Sequence, residues 1–299
     1  MPARPRTIIE NELSPCFNIS EPDRWTTPIV FCSPHSGRTY PEHFLAQSKL
    51  DPHTLRKSED CYIDVLVACA PNYGAPLISA LFPRAYLDVN REPYELDPSL
   101  FDEPLPDFAN AQSTRVIGGL GTVARIVSDG TEIYDRPLSL SAALARIDGL
   151  YHPFHRALKG LIDRTRQRFG RTLLVDCHSI PSNSMAGSGR ARPDIVLGDR
   201  FGTSCDSLIV GFLQRAFDDL GYVVHVNRPY AGGYITEHYG RPSTGINALQ
   251  IEFNRGLYLN EETLETTAGF QQLQADIENV VGRLAFELPE ELDRPEAAE

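Results

Sequence analysis

The residues of this chain best suited to chemistry are histidines that strands deliver to loops. Leu173-Leu174-Val175 favours a buried strand and runs directly into Asp176-Cys177-His178-Ser179-Ile180, where Pro181 stops it. A second β-rich run, Pro28-Ile29-Val30-Phe31-Cys32, ends in the turn Pro34-His35-Ser36-Gly37. In a third, Leu249, Ile251 and Phe253 alternate with Gln250, Glu252 and Asn254, so the polar set shares one face. Ligands of open α/β sheets sit outside the carboxyl ends of the strands, where His35, His178 and Glu252 fall. Two histidines and a carboxylate are the usual protein ligands of a catalytic zinc, the fourth position being left to water. Such a metal lowers the water's pKa to about 7, and a neighbouring carboxylate can then take its proton. The carboxylates available are Glu252 and the acids of Ser58-Glu59-Asp60. Asp176 lies two residues before His178, on the same side of the strand, and is placed to orient it.

Rival chemistries are weaker. Ser179 beside His178 has no G-x-S-x-G elbow around it. Cys177 alternates to the face opposite His178, which removes it as a nucleophile. The six cysteines form no CxxC pair and read as scattered reduced thiols. Gly118-Gly119-Leu120-Gly121 lacks the spacing and the lysine of a phosphate loop. His152 and His155 share a helical face, but a packed or solvated surface explains them better than a metal pair.

Two organisational features frame these motifs. With 40 acidic and 28 basic residues the formal net charge is −12, which argues against nucleic acid or an anionic membrane as partner. The segment Met1 to Asn11 is polar and carries arginines, and no apolar run approaches membrane-spanning length, so a cytoplasmic protein is expected.

Strands alternate with helices, predicting one α/β domain over residues 28–286, preceded by an irregular arm (1–27) and followed by an acidic tail (287–299). Ser58 reads as the N-cap of a helix running to Ala70, with Glu59 and Asp60 in its first turn. The longest helical pattern, 139–169, should be kinked or interrupted at Pro153 and ends at Gly170. Residues 92–114 and 182–193 read as long loops, and 228–240 as a Gly/Tyr-rich one.

The motifs Pro34-His35-Ser36-Gly37, Asp88-Val89-Asn90-Arg91, Asp176-Cys177-His178-Ser179 and Gln250-Ile251-Glu252-Phe253-Asn254-Arg255, in this order, resemble those of the N-formylglutamate amidohydrolase family. Pro229-Tyr230-Ala231-Gly232-Gly233-Tyr234 and Tyr151-His152-Pro153-Phe154-His155 fit it too, so the resemblance spans roughly residues 28–260. That family is similar to the zinc carboxypeptidases. The resemblance implies a three-layer α/β/α domain with a mixed, roughly eight-stranded central sheet. It also implies one zinc ion per chain and hydrolysis of N-formyl-L-glutamate to formate and L-glutamate, a step of histidine breakdown. Another N-acyl amino acid or a short peptide is the alternative substrate, and an inactive binding protein the remote one. The carboxypeptidases pair their first histidine with a glutamate as H-x-x-E. Here that position is Arg38, which cannot ligate. The resemblance therefore implies a third ligand from the segment that follows, Asp60 first and Glu59 next, beside His35 and His178. Glu252 takes the role of general base. Asn90 and Arg91 match a pair that holds a substrate carboxylate, Arg115, Arg125, Arg190 or Arg192 could hold a second one, and Tyr230 corresponds to a mobile loop tyrosine.

Overall fold

The computed structural model describes residues 5–127, 130–184 and 192–288. Among these residues seven strands form the main sheet: β1 (Phe17–Ser20), β2 (Ile29–Ser33), β3 (Leu77–Ala80), β4 (Thr172–Ile180), β5 (Ile195–Gly198), β6 (Val224–Val226) and β7 (Ile246–Asn254). Their spatial order is β1-β3-β2-β4-β7-β5-β6. The helices are α1 (Pro5–Glu12), α2 (Glu42–Gln47), α3 (Pro52–Arg56), α4 (Ile63–Leu66), α5 (Thr114–Ile117) and α6 (Leu140–Arg146), then α7 (His152–Phe169), α8 (Ser207–Asp218), α9 (Tyr234–Tyr239) and α10 (Gly269–Phe286). A mixed central sheet with flanking helices is the expected fold class, with seven strands in that sheet against the roughly eight that the resemblance implies.

Strands β2, β4 and β7 run parallel, pairing Cys32 with Asp176 and His178 with Glu252. Their carboxyl ends therefore share one edge of the sheet. Strand β5 reverses against β7, with Gly198 opposite Gln250, and β6 runs parallel to β5. Every residue of β2 and β4 is buried, as central parallel strands are, and in β4 the burial takes in Asp176, His178 and Ser179 as well as the apolar residues.

Contacts group the chain into two compact units. One comprises Met1–Asn18, Ser33–Cys61 and Ile78–Gly160. Its core sets Phe44 against Tyr86 and Tyr134, with the buried Arg146 guanidinium 4.0 Å from the centre of the Tyr86 ring. The other comprises Ile19–Cys32, Tyr62–Leu77 and Leu161–Glu299. There α8 buries Ile209, Phe212, Leu213, Ala216 and Phe217, and Phe217 meets Phe253 of β7 edge to face at 6.2 Å. Asp206 caps α8 by accepting from the Leu208 N–H.

Two local expectations are corrected and a third is borne out. Residues 1–27 are not an irregular arm throughout, because Pro5–Glu12 is helical, with Ile9 buried, and Phe17–Ser20 is a strand. Ser58, Glu59 and Asp60 do not open a helix. Tyr62 adopts φ 62°, a left-handed conformation rare for a bulky side chain, and the helix starts only at Ile63. In the long helical pattern, Ile147–Tyr151 is a π-helical stretch just before Pro153, whose ring nitrogen has no proton to donate to the α-helical ladder. The acidic tail beyond Leu288 lies outside the described residues.

Candidate metal centre

The β4–β7 pairing builds half of the site. Asp176 and His178 point to one face of β4, Gln250 and Glu252 to the same face of β7, and the register sets Asp176 opposite Gln250 and His178 opposite Glu252. All four are buried. His178 Nε2 lies 3.0 Å from Asp176 Oδ2, a contact that their two-residue spacing anticipates. Gln250 Nε2 donates to Glu252 Oε1 at 2.8 Å, and Gln250 Oε1 accepts from the Gly233 N–H at 2.7 Å. On the opposite face, burial and the Asp176 charge push the Cys177 thiol well up, consistent with an inert packing residue.

The other half is built by the turn that follows β2. Gly37 has to be glycine, since a Cβ there would fall 2.1 Å from the Phe82 carbonyl oxygen. Ser33 and Ser36 hydroxyls lie 2.7 Å apart, and Ser36 Oγ donates to the Asp60 carbonyl at 2.9 Å. The Asp60 N–H in turn donates to the His35 carbonyl at 3.0 Å. These bonds hold 58–60 against the His35 turn instead of letting it wind into a helix. His35 Nδ1 then lies 3.3 Å from Asp60 Oδ2, and Nε2 lies 2.7 Å from Asp88 Oδ1.

One ligand atom each from His35, Asp60 and His178 falls within 4.8 Å of the others, and all three residues are buried. Among the described residues this is the one such group of histidines, cysteines and acids. Two imidazoles and a carboxylate match the donor set of a catalytic zinc with an open position, so the residues fit the metal. Glu59, although adjacent to Asp60, belongs to a different network. It accepts from Tyr40 Oη at 2.7 Å and from Arg56 Nε at 3.2 Å, and lies 3.4 Å from Cys61 Sγ.

Asp88 is the residue that sequence reading left without a role. Burial by itself would raise its carboxyl, yet Arg91, His35 and Arg84 together hold it well below the usual carboxylate range. Asp88 Oδ1 meets the His35 ring at 2.7 Å as Asp176 Oδ2 meets the His178 ring at 3.0 Å, and its signal in the sequence is its place in the Asp88-Val89-Asn90-Arg91 motif. Asp88→Asn is expected to weaken zinc affinity by about 10- to 100-fold, the usual cost of losing a partner behind a metal ligand. Zinc competition with a chromogenic chelator measures it, and an unchanged affinity would remove Asp88 from that role.

The substrate-binding candidates are placed as follows. Asn90 is buried and its N–H donates to Asp88 Oδ1 at 2.8 Å. Arg91 donates through Nε to the Leu120 carbonyl and through Nη1 to the Asn90 carbonyl, both at 2.8 Å, and Nη2 lies 3.7 Å from Asp88 Oδ2. Arg84 Nη2 donates to Asp88 Oδ2 at 2.8 Å, and Arg115 Nη1 lies 3.7 Å from Glu95 Oε2. Arg125 is drawn into a separate pair with Asp97 at 2.8 Å and Glu132 at 3.3 Å. Tyr230 is 44% exposed on the loop preceding α9. Arg190 lies outside the described residues, and Arg192 borders Ser182, Ser184 and Asn254. His152 and His155 engage Tyr94 Oη at 3.3 Å and the Val89 carbonyl at 2.8 Å.

Residues 27–259 match the family model described as N-formylglutamate amidohydrolase. N-formylglutamate deformylase of Pseudomonas putida is 28% identical over 241 residues, 78% of this chain and 82% of that protein. The Pseudomonas aeruginosa deformylase is also 28% identical, over 80% of this chain and 85% of its own length. In the crystal structure of N-formylglutamate amidohydrolase from Ralstonia eutropha JMP134, 36% identical, the fold superposes with a TM-score of 0.87 over 92% of this chain and 99% of that one. A family model spanning most of the chain, two curated relatives and a shared fold point the same way: the chain belongs to the N-formylglutamate amidohydrolase family, whose members hydrolyse amides.

Proposed function

We propose that this enzyme hydrolyses N-formyl-L-glutamate to formate and L-glutamate, with a zinc ion held by His35, Asp60 and His178 and with Glu252 as general base. The observation that carries the reading is the buried His-Asp-His group, with Glu252 paired in register beside His178. Bound zinc supplies Lewis-acid polarisation of a carbonyl and acidifies water at neutral pH. Glu252 accepts the proton of the attacking water as oxygen adds to the formyl carbon. It then delivers that proton to the nitrogen as the C–N bond breaks, releasing formate and the free amine of glutamate. Asp176 and Asp88 fix the rings of His178 and His35.

Substrate charge fits the surroundings of Asp88. Arg91 stands among Arg84 and Arg115 and two carboxylates, Asp88 and Glu95, so three guanidinium groups face two carboxylates there. That local excess suits a dianionic substrate although the whole chain is acidic. We assign the α-carboxylate to Asn90 and Arg91 and the side-chain carboxylate to a second arginine, Arg115 ahead of Arg125, whose charge is already matched. Tyr230 closes over the bound substrate. The reaction would be a step of histidine breakdown.

A panel of N-acyl amino acids tests the assignment, with zinc-loaded protein and free amine and formate measured together. N-formyl-L-glutamate is expected to exceed N-formyl-L-leucine in kcat/KM by about 100-fold or more, since a charged site rejects a substrate that leaves its buried groups unpaired. Turnover of an N-acetyl amino acid or a dipeptide, with none of N-formyl-L-glutamate, would overturn the substrate.

A further inference from the structure

Resting on the reading of Glu252 as the base, we propose that Gln250 is a positioning residue that sets the Glu252 carboxylate and ties it to the loop bearing Tyr230. The two side chains are neighbours on one face of β7, both buried. The amide's orientation is fixed chemically. The Gly233 N–H can only donate, so Gln250 turns Oε1 toward it at 2.7 Å and must present its NH₂ to Glu252 Oε1 at 2.8 Å. One side chain thus reads the position of the loop and states it to the carboxylate.

The loop itself is held from the other side by β5 and the turn after it. The Asn227 N–H donates to the Leu197 carbonyl and the Arg200 N–H to the Ala231 carbonyl, each at 2.7 Å. Asn227 Oδ1 accepts from the Asp199 N–H at 3.1 Å. Arg200, Phe201 and Asn227 all adopt positive φ to make this clasp. Gly198, opposite Gln250 in the ladder, is where the loop crosses β5. A Cβ at Gly198 would fall 2.7 Å from both the Ala231 carbonyl carbon and the Gly232 nitrogen. Only a glycine there lets the backbone pass close enough for Gly233 to reach Gln250. Glutamate has three rotatable side-chain bonds, and an error of about 1 Å at a reacting group can cost about 100-fold in rate.

Q250M keeps the side chain's length and removes both hydrogen bonds. In the zinc-loaded enzyme it is expected to lower kcat per folded, zinc-loaded chain by about 10- to 100-fold, with KM changed by less than about threefold and one zinc per chain retained. Q250E, which can still accept from Gly233 but sets a carboxylate against Glu252, should be no better than Q250M. Because Gln250 acts through Glu252, the double variant Q250M/E252Q should be no slower than E252Q alone. Wild-type kcat in Q250M overturns the proposal. So does a loss that multiplies with that of E252Q, or one that only follows a fall in folded or zinc-loaded protein. Wild-type turnover in E252Q would instead overturn the reading of the base, and that single variant tells the two failures apart.

Discussion

His178→Ala is expected to abolish stoichiometric zinc binding and to lower turnover of N-formyl-L-glutamate by about 1,000-fold or more. Lewis-acid stabilisation by a catalytic metal is worth several kcal/mol, and each 1.36 kcal/mol is tenfold in rate. As a proposed ligand, His178 has no neighbour to stand in for it, because the strand fixes its place. It sits in the middle of the sheet, between β2 and β7, with Asp176 fixing its ring. Its loss leaves Asp176 buried without that partner, so the variant should be destabilised as well, by about 1–3 kcal/mol. Circular dichroism and a melting curve separate that cost from the loss of metal. Glu59→Gln is the matched control. Glu59 is a carboxylate as buried as Asp60, but its oxygens engage Tyr40 and Arg56. That variant should lose stability and keep its zinc, whereas Asp60→Asn should lose zinc. If Glu59→Gln also emptied the site, the ligand set would have to be redrawn.

Glu252→Gln is the second large effect, and its signature differs. The amide keeps the size of the side chain and its place on β7, but it cannot accept a proton from water. Loss of a general base costs about 100- to 10,000-fold, read in kcat with little change in KM. Zinc content should remain at one per chain, since Glu252 is outside the His-Asp-His group. Metal retention with loss of turnover separates this variant from His178→Ala. A Glu252→Gln enzyme with near wild-type kcat would assign the proton transfer to another residue.

How much of this was legible in the sequence depends on the range of the forces involved. His35, His178 and Glu252 could be read because a parallel sheet delivers the carboxyl ends of its strands to one edge, and alternation in each strand states which side chains go together. The Asp176–His178 contact follows from the same two-residue period. Asp60 over Glu59 could not be derived that way. The Ser58-Glu59-Asp60 run carries every local mark of a helix start, and what prevents it is a pair of hydrogen bonds to the His35 turn, more than 20 residues away in the chain. Asp88 was visible as part of a motif but silent as to role, since the His35 contact spans 53 residues. The arginines show the opposite limit. Charge and motif mark Arg91, Arg115 and Arg125 as anion binders, but only the folded structure shows that Arg125 already faces Asp97 and Glu132 while Arg84 joins Arg91 and Arg115. The helix at Pro5–Glu12 was missed because four early prolines outweighed a short apolar pattern.

His35, Asp60 and His178 are proposed to hold the metal that this hydrolysis requires. The most direct measurement strips the protein with a chelator, confirms that it remains folded, and follows formate release from N-formyl-L-glutamate as zinc is added back. Activity should be absent in the stripped protein and should rise linearly to a break at one zinc per chain, with no such recovery in His35→Ala. Full-rate hydrolysis by folded, metal-free protein, or recovery at one equivalent in His35→Ala, would contradict it.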